Sequence, residues 1–379
     1  MKQLAHVFLI GPVYPYRGGI SHFNTQLADA FIHLGHKVNI ISFKRQYPSW
    51  LYPGKTDKDP SLEPLKANAN YILDPLFPWT WAKTVKTIRS AQPDLVIIHW
   101  WTTFWGFADS WMSQKLKQSQ IPVVYLIHNV LPHERKAWDG WIAKLALRPA
   151  SGIITMTLYE KERLVQLLPN ARVAISPMPV YTHFSSNTVS KPQARLSLGL
   201  PSEGIILLFF GLVRPYKGLS VLLQAIAQIP EGKRPFLLIA GEFWKDKHYY
   251  LNQIKELGIA NSIRIEDRYI PNEEVDIMFK AVDALVAPYL QGTQSAAASL
   301  AIGYGLPIIV SEHISKGLSL DKDDLVLPFP TGDNNALSLA IQQIPIANHA
   351  PKINNPNQEN GWDRMIQAIL NQIPTDENP

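Results

Sequence analysis

The stretch Ile205-Ile206-Leu207-Leu208-Phe209-Phe210-Gly211-Leu212-Val213-Arg214-Pro215-Tyr216-Lys217-Gly218 holds the plan of the chain in brief. An unbroken apolar run ends at a glycine, two cations three residues apart follow, and a helical apolar pattern then runs from 218 to 229. An apolar run without polar alternation is a strand buried on both faces, as in a parallel sheet covered by helices. The stretch therefore reads as strand, turn, helix. Arg214 and Lys217 stand where the unpaired N–H groups of a helix start favour an anion, and two cations there suit a diphosphate.

The same grammar repeats along the chain. Apolar runs at 6–11, 38–43, 95–100, 123–129 and 152–157 precede it, and runs at 236–241, 263–270, 284–288 and 307–311 follow. Helical patterns fall between them, for example at 19–34 and 295–303. Strand-helix alternation done twice over 379 residues predicts an α/β chain of two Rossmann-like domains. The break falls at 180–201, rich in Ser, Asn, Thr and Pro and without period, so it reads as a linker. The expected domains are 1–185, joined by a last amphipathic helix within 356–379, and 186–355. Ligands of such sheets lie beyond the carboxyl ends of the strands, so the informative residues are sought there, at a cleft shared by the domains.

Glycines and polar residues do gather at the strand ends. Gly18 and Gly19 open the first long helix, where bare backbone can approach a ligand. This is not the dinucleotide fingerprint, because the glycine spacing is wrong. His128, Asn129, His133 and Glu134 gather after the run at 123–129 and lack the helical spacing of a zinc site. Glu242 follows the run at 236–241. Thr293, Gln294, Ser295 and Ala296 follow the run at 284–288, and Ser295 is placed to cap the next helix. Asp57-x-Asp59 and Asp321-x-Asp323 lie in polar loops and not at strand ends, so no metal is expected.

Composition bounds the alternatives. With no cysteine, a disulfide framework, thiolate catalysis and Cys-ligated zinc are excluded. No apolar stretch approaches the ~20 residues that span a bilayer, and the start lacks a leader-like segment, so a cytoplasmic protein is expected. Residues 1–180 carry 20 Lys and Arg against 11 Asp and Glu, a net +9, and the remainder 16 against 20, a net −4. The basic part also holds most of the 11 tryptophans, including Trp79, Trp81, Trp100, Trp101, Trp105 and Trp111. A basic, Trp-rich part suits an anionic membrane surface or a carbohydrate, with burial of the indoles in the core as the plain alternative. Nucleic acid is not expected, because the cations are scattered and no reading motif is present.

Taken in order, these segments resemble the GT-B glycosyltransferases of the GT4 type (glycosyl transferases group 1), over nearly the whole chain. The turn at Gly18-Gly19 resembles the family's N-terminal loop, and Gly211 to Gly218 its phosphate-binding segment. Arg268-Tyr269-Ile270-Pro271-Asn272-Glu273-Glu274-Val275 resembles the segment that holds the nucleotide base, which implies Tyr269 and Ile270 as contacts. Gly305-x-Pro307-Ile308-Ile309 is similar to its small-residue strand entry, and 361–373 to the final helix that crosses back onto the first domain. One departure is plain. The family's two glutamates fall at Gly292 and Leu300, and the Gln294-Ser295 pair resembles a bacterial polysaccharide-type sub-branch instead.

The resemblance implies a retaining transfer of a hexose from a nucleotide sugar, a UDP-sugar such as UDP-glucose, to a saccharide or lipid-linked acceptor. No cofactor beyond that donor is expected. Arg214, Lys217 and His128 are the implied catalytic residues. The donor falls to Gly18, Gly19, Gly211, Arg214, Lys217, Glu242, Tyr269, Ile270, Thr293, Gln294, Ser295 and Ala296. The acceptor falls to His128, Asn129, His133 and Glu134. The basic charge and tryptophans of residues 1–180, apart from the resemblance, add an expected peripheral contact with the inner face of a membrane. A catalytically inactive sugar-nucleotide sensor and a GT-B epimerase or phosphorylase stay open at this stage.

Overall fold

The computed structural model describes residues 4–48, 56–132, 136–181, 189–292, 294–318, 326–344 and 361–373. The chain divides into two compact units. One comprises Met1–Asp59, Pro64–Pro177 and Glu359–Pro379, and the other Pro60–Glu63 and Met178–Gln358.

The first unit is built on seven parallel strands: β1 His6–Ile10, β2 Lys37–Phe43, β3 Ala69–Leu73, β4 Leu95–Trp100, β5 Val123–Ile127, β6 Gly152–Thr155 and β7 Val173–Ile175. Their spatial order is β3-β2-β1-β4-β5-β6-β7. The central strands β4 and β5 are buried at every position, which is why they read as continuous apolar runs. The helix Gly361–Leu370 belongs to this unit and packs on the helix Gly19–His33. It buries Met365, Ile366 and Ile369, each worth about 1.5–3 kcal/mol. Trp362 meets Phe23 at 5.1 Å.

The second unit has six parallel strands: β8 Ile206–Phe210, β9 Phe236–Ala240, β10 Ile263–Glu266, β11 Ala284–Ala287, β12 Ile308–Ser311 and β13 Val326–Phe329. Their order is β10-β9-β8-β11-β12-β13, the pattern of the first sheet without its last strand. Two parallel sheets of this kind, each flanked by helices, make the chain α/β with two Rossmann-like units.

Two readings of the sequence are corrected. The stretch 180–201 is not wholly linker, since it contains the helix Lys191–Ser197. Ser190 and Gln193 form its capping box, with the Gln193 side chain accepting from Ser190 N at 3.0 Å. Arg195 then anchors the helix by donating to Ala281 O and Asp283 Oδ2. The run at 263–270 is a strand only to Glu266, because Arg268 N turns back to Glu266 O at 3.0 Å. No helix among the described residues is long and apolar enough to cross a membrane.

Candidate functional site

At the carboxyl end of the second sheet three loops are drawn together by close backbone approach. After β8, Gly211 N donates to Ala240 O at 2.9 Å, and Val213 N to Glu242 O at 2.8 Å. A Cβ at Gly241 would lie 2.1 Å from Gly211 O, so only glycine lets the two loops touch. The turn Pro215–Lys217 follows, and Tyr216 O accepts from Leu290 N at 2.7 Å, which binds the loop after β11. Gly218 sits at φ 73, and a Cβ there would fall 2.0 Å from Pro288 O. Both the handedness and the space exclude a side chain.

This backbone fixes the two cations. The Arg214 guanidinium lies over the Trp244 ring, 3.8 Å from its centroid. Trp244 is itself placed by Asp267, which accepts from Phe243 N at 2.9 Å and from Lys247 Nζ at 2.8 Å. The half-buried Lys217 points beside Gly211, whose added Cβ would meet Nζ at 3.0 Å. Burial lowers the lysine below its usual range, Tyr216 opposes this, and the Arg214 charge adds to it. A desolvated ammonium next to a guanidinium is favoured by an arriving anion, which relieves both costs.

The helix Ala296–Gly303 starts at the same end of the sheet. Ser295 Oγ accepts from Ala298 N at 3.2 Å, and its hydroxyl meets that of Tyr289 at 3.2 Å. The N–H groups of the first turn have no partner within the helix. Gln294 Nε2 is buried and has no hydrogen-bond partner among the described residues. It lines a cavity of about 30 Å³ with Met178, Val180, Ser299 and Ile302, large enough to hold water. Thr293 lies outside the described residues. Gly292 and Leu300 carry no carboxylate, and Leu300 is buried in the helix. Glu242 and Ile270 are buried, and Tyr269 is half-buried in a loop braced by the Arg268–Glu274 ion pair.

The first unit gathers a different set of groups at its strand ends. His128 N donates to Trp100 O at 2.8 Å. The His128 ring stacks on His99, with Nε2 and Nδ1 at 3.0 Å, and Phe23 meets both rings edge-on. Burial lowers both imidazoles, His128 to about 3 and His99 well below the usual range, where the His128 charge adds to the effect. Both are neutral at ordinary pH. Asn24 donates to Pro12 O at 3.1 Å beside them. Asn129 is half-buried, while His133 and Glu134 lie outside the described residues. Gly18 caps the helix Gly19–His33 with open space around it, and Gly19 is exposed.

Sequence reading missed His99, Asn24, Trp244 and Asp267. A histidine inside the apolar run at 95–100 was a usable signal for the first. Nothing in the sequence marks Asp267, whose role depends on a neighbouring loop. Among the described residues no group of three or more His, Cys, Asp or Glu is arranged to hold a metal.

Residues 17–184 match the model of Glycosyltransferase Family 4, and 190–344 that of Glycosyl transferases group 1. The D-inositol 3-phosphate glycosyltransferase of Saccharomonospora viridis is 21% identical over 73% of this chain and 69% of its own length. The GDP-mannose:glycolipid 4-beta-D-mannosyltransferase of Xanthomonas campestris pv. campestris is 25% identical over 52% of this chain and 51% of its own. Among solved structures, Anabaena HepE in complex with UDP-glucose superposes with a TM-score of 0.70 at 18% identity, covering 97% of this chain and 98% of that one. Sucrose-phosphate synthase from Thermosynechococcus elongatus gives 0.67 at 19%, covering 96% and 95%.

Proposed function

This chain belongs to the GT-B glycosyltransferases of the GT4 and group 1 type, and from that premise we propose that it moves a hexose from a UDP-sugar to a saccharide or lipid-linked acceptor with retention of configuration. The observation that carries the donor reading is the juxtaposition of Arg214, Lys217 and the start of the helix Ala296–Gly303 at one end of one sheet. These groups are fixed before any ligand arrives, so they stabilise a departing diphosphate without reorganising. The acceptor hydroxyl oxygen bonds to the anomeric carbon as the bond from that carbon to the diphosphate oxygen breaks. The hydroxyl proton passes to the departing phosphate oxygen.

His128 and Asn129 are read as acceptor-side contacts, with His128 acting as a neutral hydrogen-bonding group because burial keeps it uncharged. Gln294 and Ser295 are read as sugar contacts in place of the two carboxylates. Arg214 and Lys217 take the charge-neutralising part that a divalent ion would otherwise play, so turnover is expected in excess EDTA without a resident cofactor.

A panel of nucleotide sugars tests the reading by thermal shift and by turnover on saccharide and glycolipid acceptors. A donor at 100 times its Kd is expected to stabilise the protein by about 2.7 kcal/mol. NMR of the product is expected to show the donor's anomeric configuration. The loss of carboxylates at Gly292 and Leu300 favours one rival, a sugar-nucleotide sensor. Stabilisation by donor with no turnover on any acceptor would select it.

A further inference from the structure

Three helices of the first unit, Pro78–Ala91, Gly106–Lys117 and Asp139–Leu147, link β3 to β4, β4 to β5 and β5 to β6. Right-handed crossovers running the same way along a sheet place them on one face, where they pack side by side. Their N-terminal ends carry a belt of aromatic rings. Phe77 lies 4.5 Å from Trp79, Trp81 lies 6.4 Å from Trp111, and Phe107 lies 6.0 Å from Trp141. Trp111 and Phe107 are one helical turn apart, as are Trp141 and Trp138, which links the rings from Trp81 to Trp138, while Phe77 and Trp79 form a separate pair on another side of their helix. Trp81 packs on the core, but four of the rings stand well out from it. Trp79 is 66% exposed, Trp141 61%, Trp138 56% and Phe107 52%.

Behind each aromatic, on the same helix stripe, stands a row of cations. Lys83 and Lys86 follow Trp79 at four and seven residues, Lys115 follows Trp111 at four, and Lys144 and Arg148 follow Trp141 at three and seven. That spacing puts them about 5–10 Å further along the helices. The three helices expose no carboxylate to set against them. Pro78–Ala91 has none, Asp109 is buried, and Asp139 is buried against Thr103 and Lys136 N. Indoles beside a row of unopposed cations match the headgroup layer of an anionic bilayer, which takes the rings at its interface and the charges at its phosphates.

We propose that this face docks on an anionic lipid bilayer, with the aromatic belt in the headgroup region and the lysine row on the lipid phosphates. The helices run against the strands, so the belt lies at the carboxyl end of the sheet, the end that holds His128. Docking there brings lipid-borne molecules to the strand ends of this unit. It needs no donor and no catalysis, so its test stands apart from that of the transfer reaction.

Sedimentation of the whole chain with vesicles reads it out. Wild type is expected to pellet with phosphatidylglycerol in phosphatidylcholine, to stay free of phosphatidylcholine alone, and to be released as salt rises from ~0.1 M to ~1 M, where the Debye length shrinks from ~10 Å to ~3 Å. Each cation near the surface contributes about fivefold in partitioning, so Lys83→Glu/Lys86→Glu/Lys144→Glu is expected to lose more than about a hundredfold. Trp79→Ser/Trp141→Ser is expected to weaken binding at both salt concentrations. Lys37→Glu/Lys233→Glu/Lys255→Glu, with the same charge change off the face, is expected to bind far better than the first triple variant. Unchanged melting temperatures check that the exposed substitutions leave the fold intact. Wild type left in the supernatant at low salt, equal pelleting with neutral vesicles, or equal loss in both triple variants would overturn the proposal. So would a dimer in solution that Trp79→Ser/Trp141→Ser dissociates, since a second copy would then be what covers the belt.

Discussion

A glycine follows the first strand of each sheet, Gly11 after β1 and Gly211 after β8, and what crowds each glycine differs. An added Cβ at Gly11 would meet Asn24 Nδ2 and the His99 ring at 3.0 Å, whereas at Gly211 it would meet Lys217 Nζ at 3.0 Å. The topological position is the same, since the two sheets share their strand order from β3 to β6 and from β10 to β13. One position holds neutral, stacked imidazoles and the other an ammonium beside a guanidinium. Topology decides where a ligand can sit, and the few side chains that reach that place decide what kind of ligand it is.

Removing the charge in the second unit is expected to have the largest effect. Lys217→Ala or Arg214→Ala is expected to lower kcat by about 10²–10³-fold, roughly 2.7–4 kcal/mol, with little change in melting temperature. Near-normal rates in both variants would erase the contrast between the two strand ends. The next effect is on the backbone that presents those cations. Gly218→Val combines a left-handed residue, about 1–2 kcal/mol, with overlap on Pro288 O, and is expected to cost more than about 2 kcal/mol in thermal or denaturant unfolding. An unchanged melting temperature would show that the loop after β11 does not constrain the turn.

The first unit is expected to reveal itself through pH. His128 has its folded value lowered to about 3 from 6.5, so between these values the unfolded chain binds the extra proton. Its contribution is therefore complete above pH 6.5 and is lost as pH falls through that window. At pH 5 the loss is of the order of 2 kcal/mol from this residue. His128→Asn is expected to flatten the acid limb of a melting-temperature profile, and Lys217→Ala to leave it unchanged. The smallest effect belongs to Gln294→Ala. Loss of one hydrogen bond of about 0.5–1.5 kcal/mol is expected to raise donor KM several-fold with the fold intact.

The sequence disclosed the interior of both sheets because central strands must be apolar on two faces. It hid β3, β7 and β13, and all three are edge strands. Asn70 and Tyr71 of β3 are exposed, β7 has three residues, and β13 contains Pro328, which an edge tolerates. Arg214 and Lys217 were legible because their neighbours in sequence, a strand and a glycine, define their place. The Trp244 platform under Arg214 and the Asp267 bracket behind it were not, since they come from the loops after other strands. The tryptophans divide along the same line. Trp100 and Trp105 are core, while Trp79, Trp138 and Trp141 stand on helix faces that charge counting alone did not locate.

A crystal structure of the chain with its nucleotide-sugar donor tests the central claim most directly. The diphosphate is expected within hydrogen-bonding distance of Arg214 and Lys217 and at the first-turn N–H groups of the helix Ala296–Gly303. A diphosphate placed away from all three, with Arg214 still on Trp244 and Lys217 still beside Gly211, would contradict it.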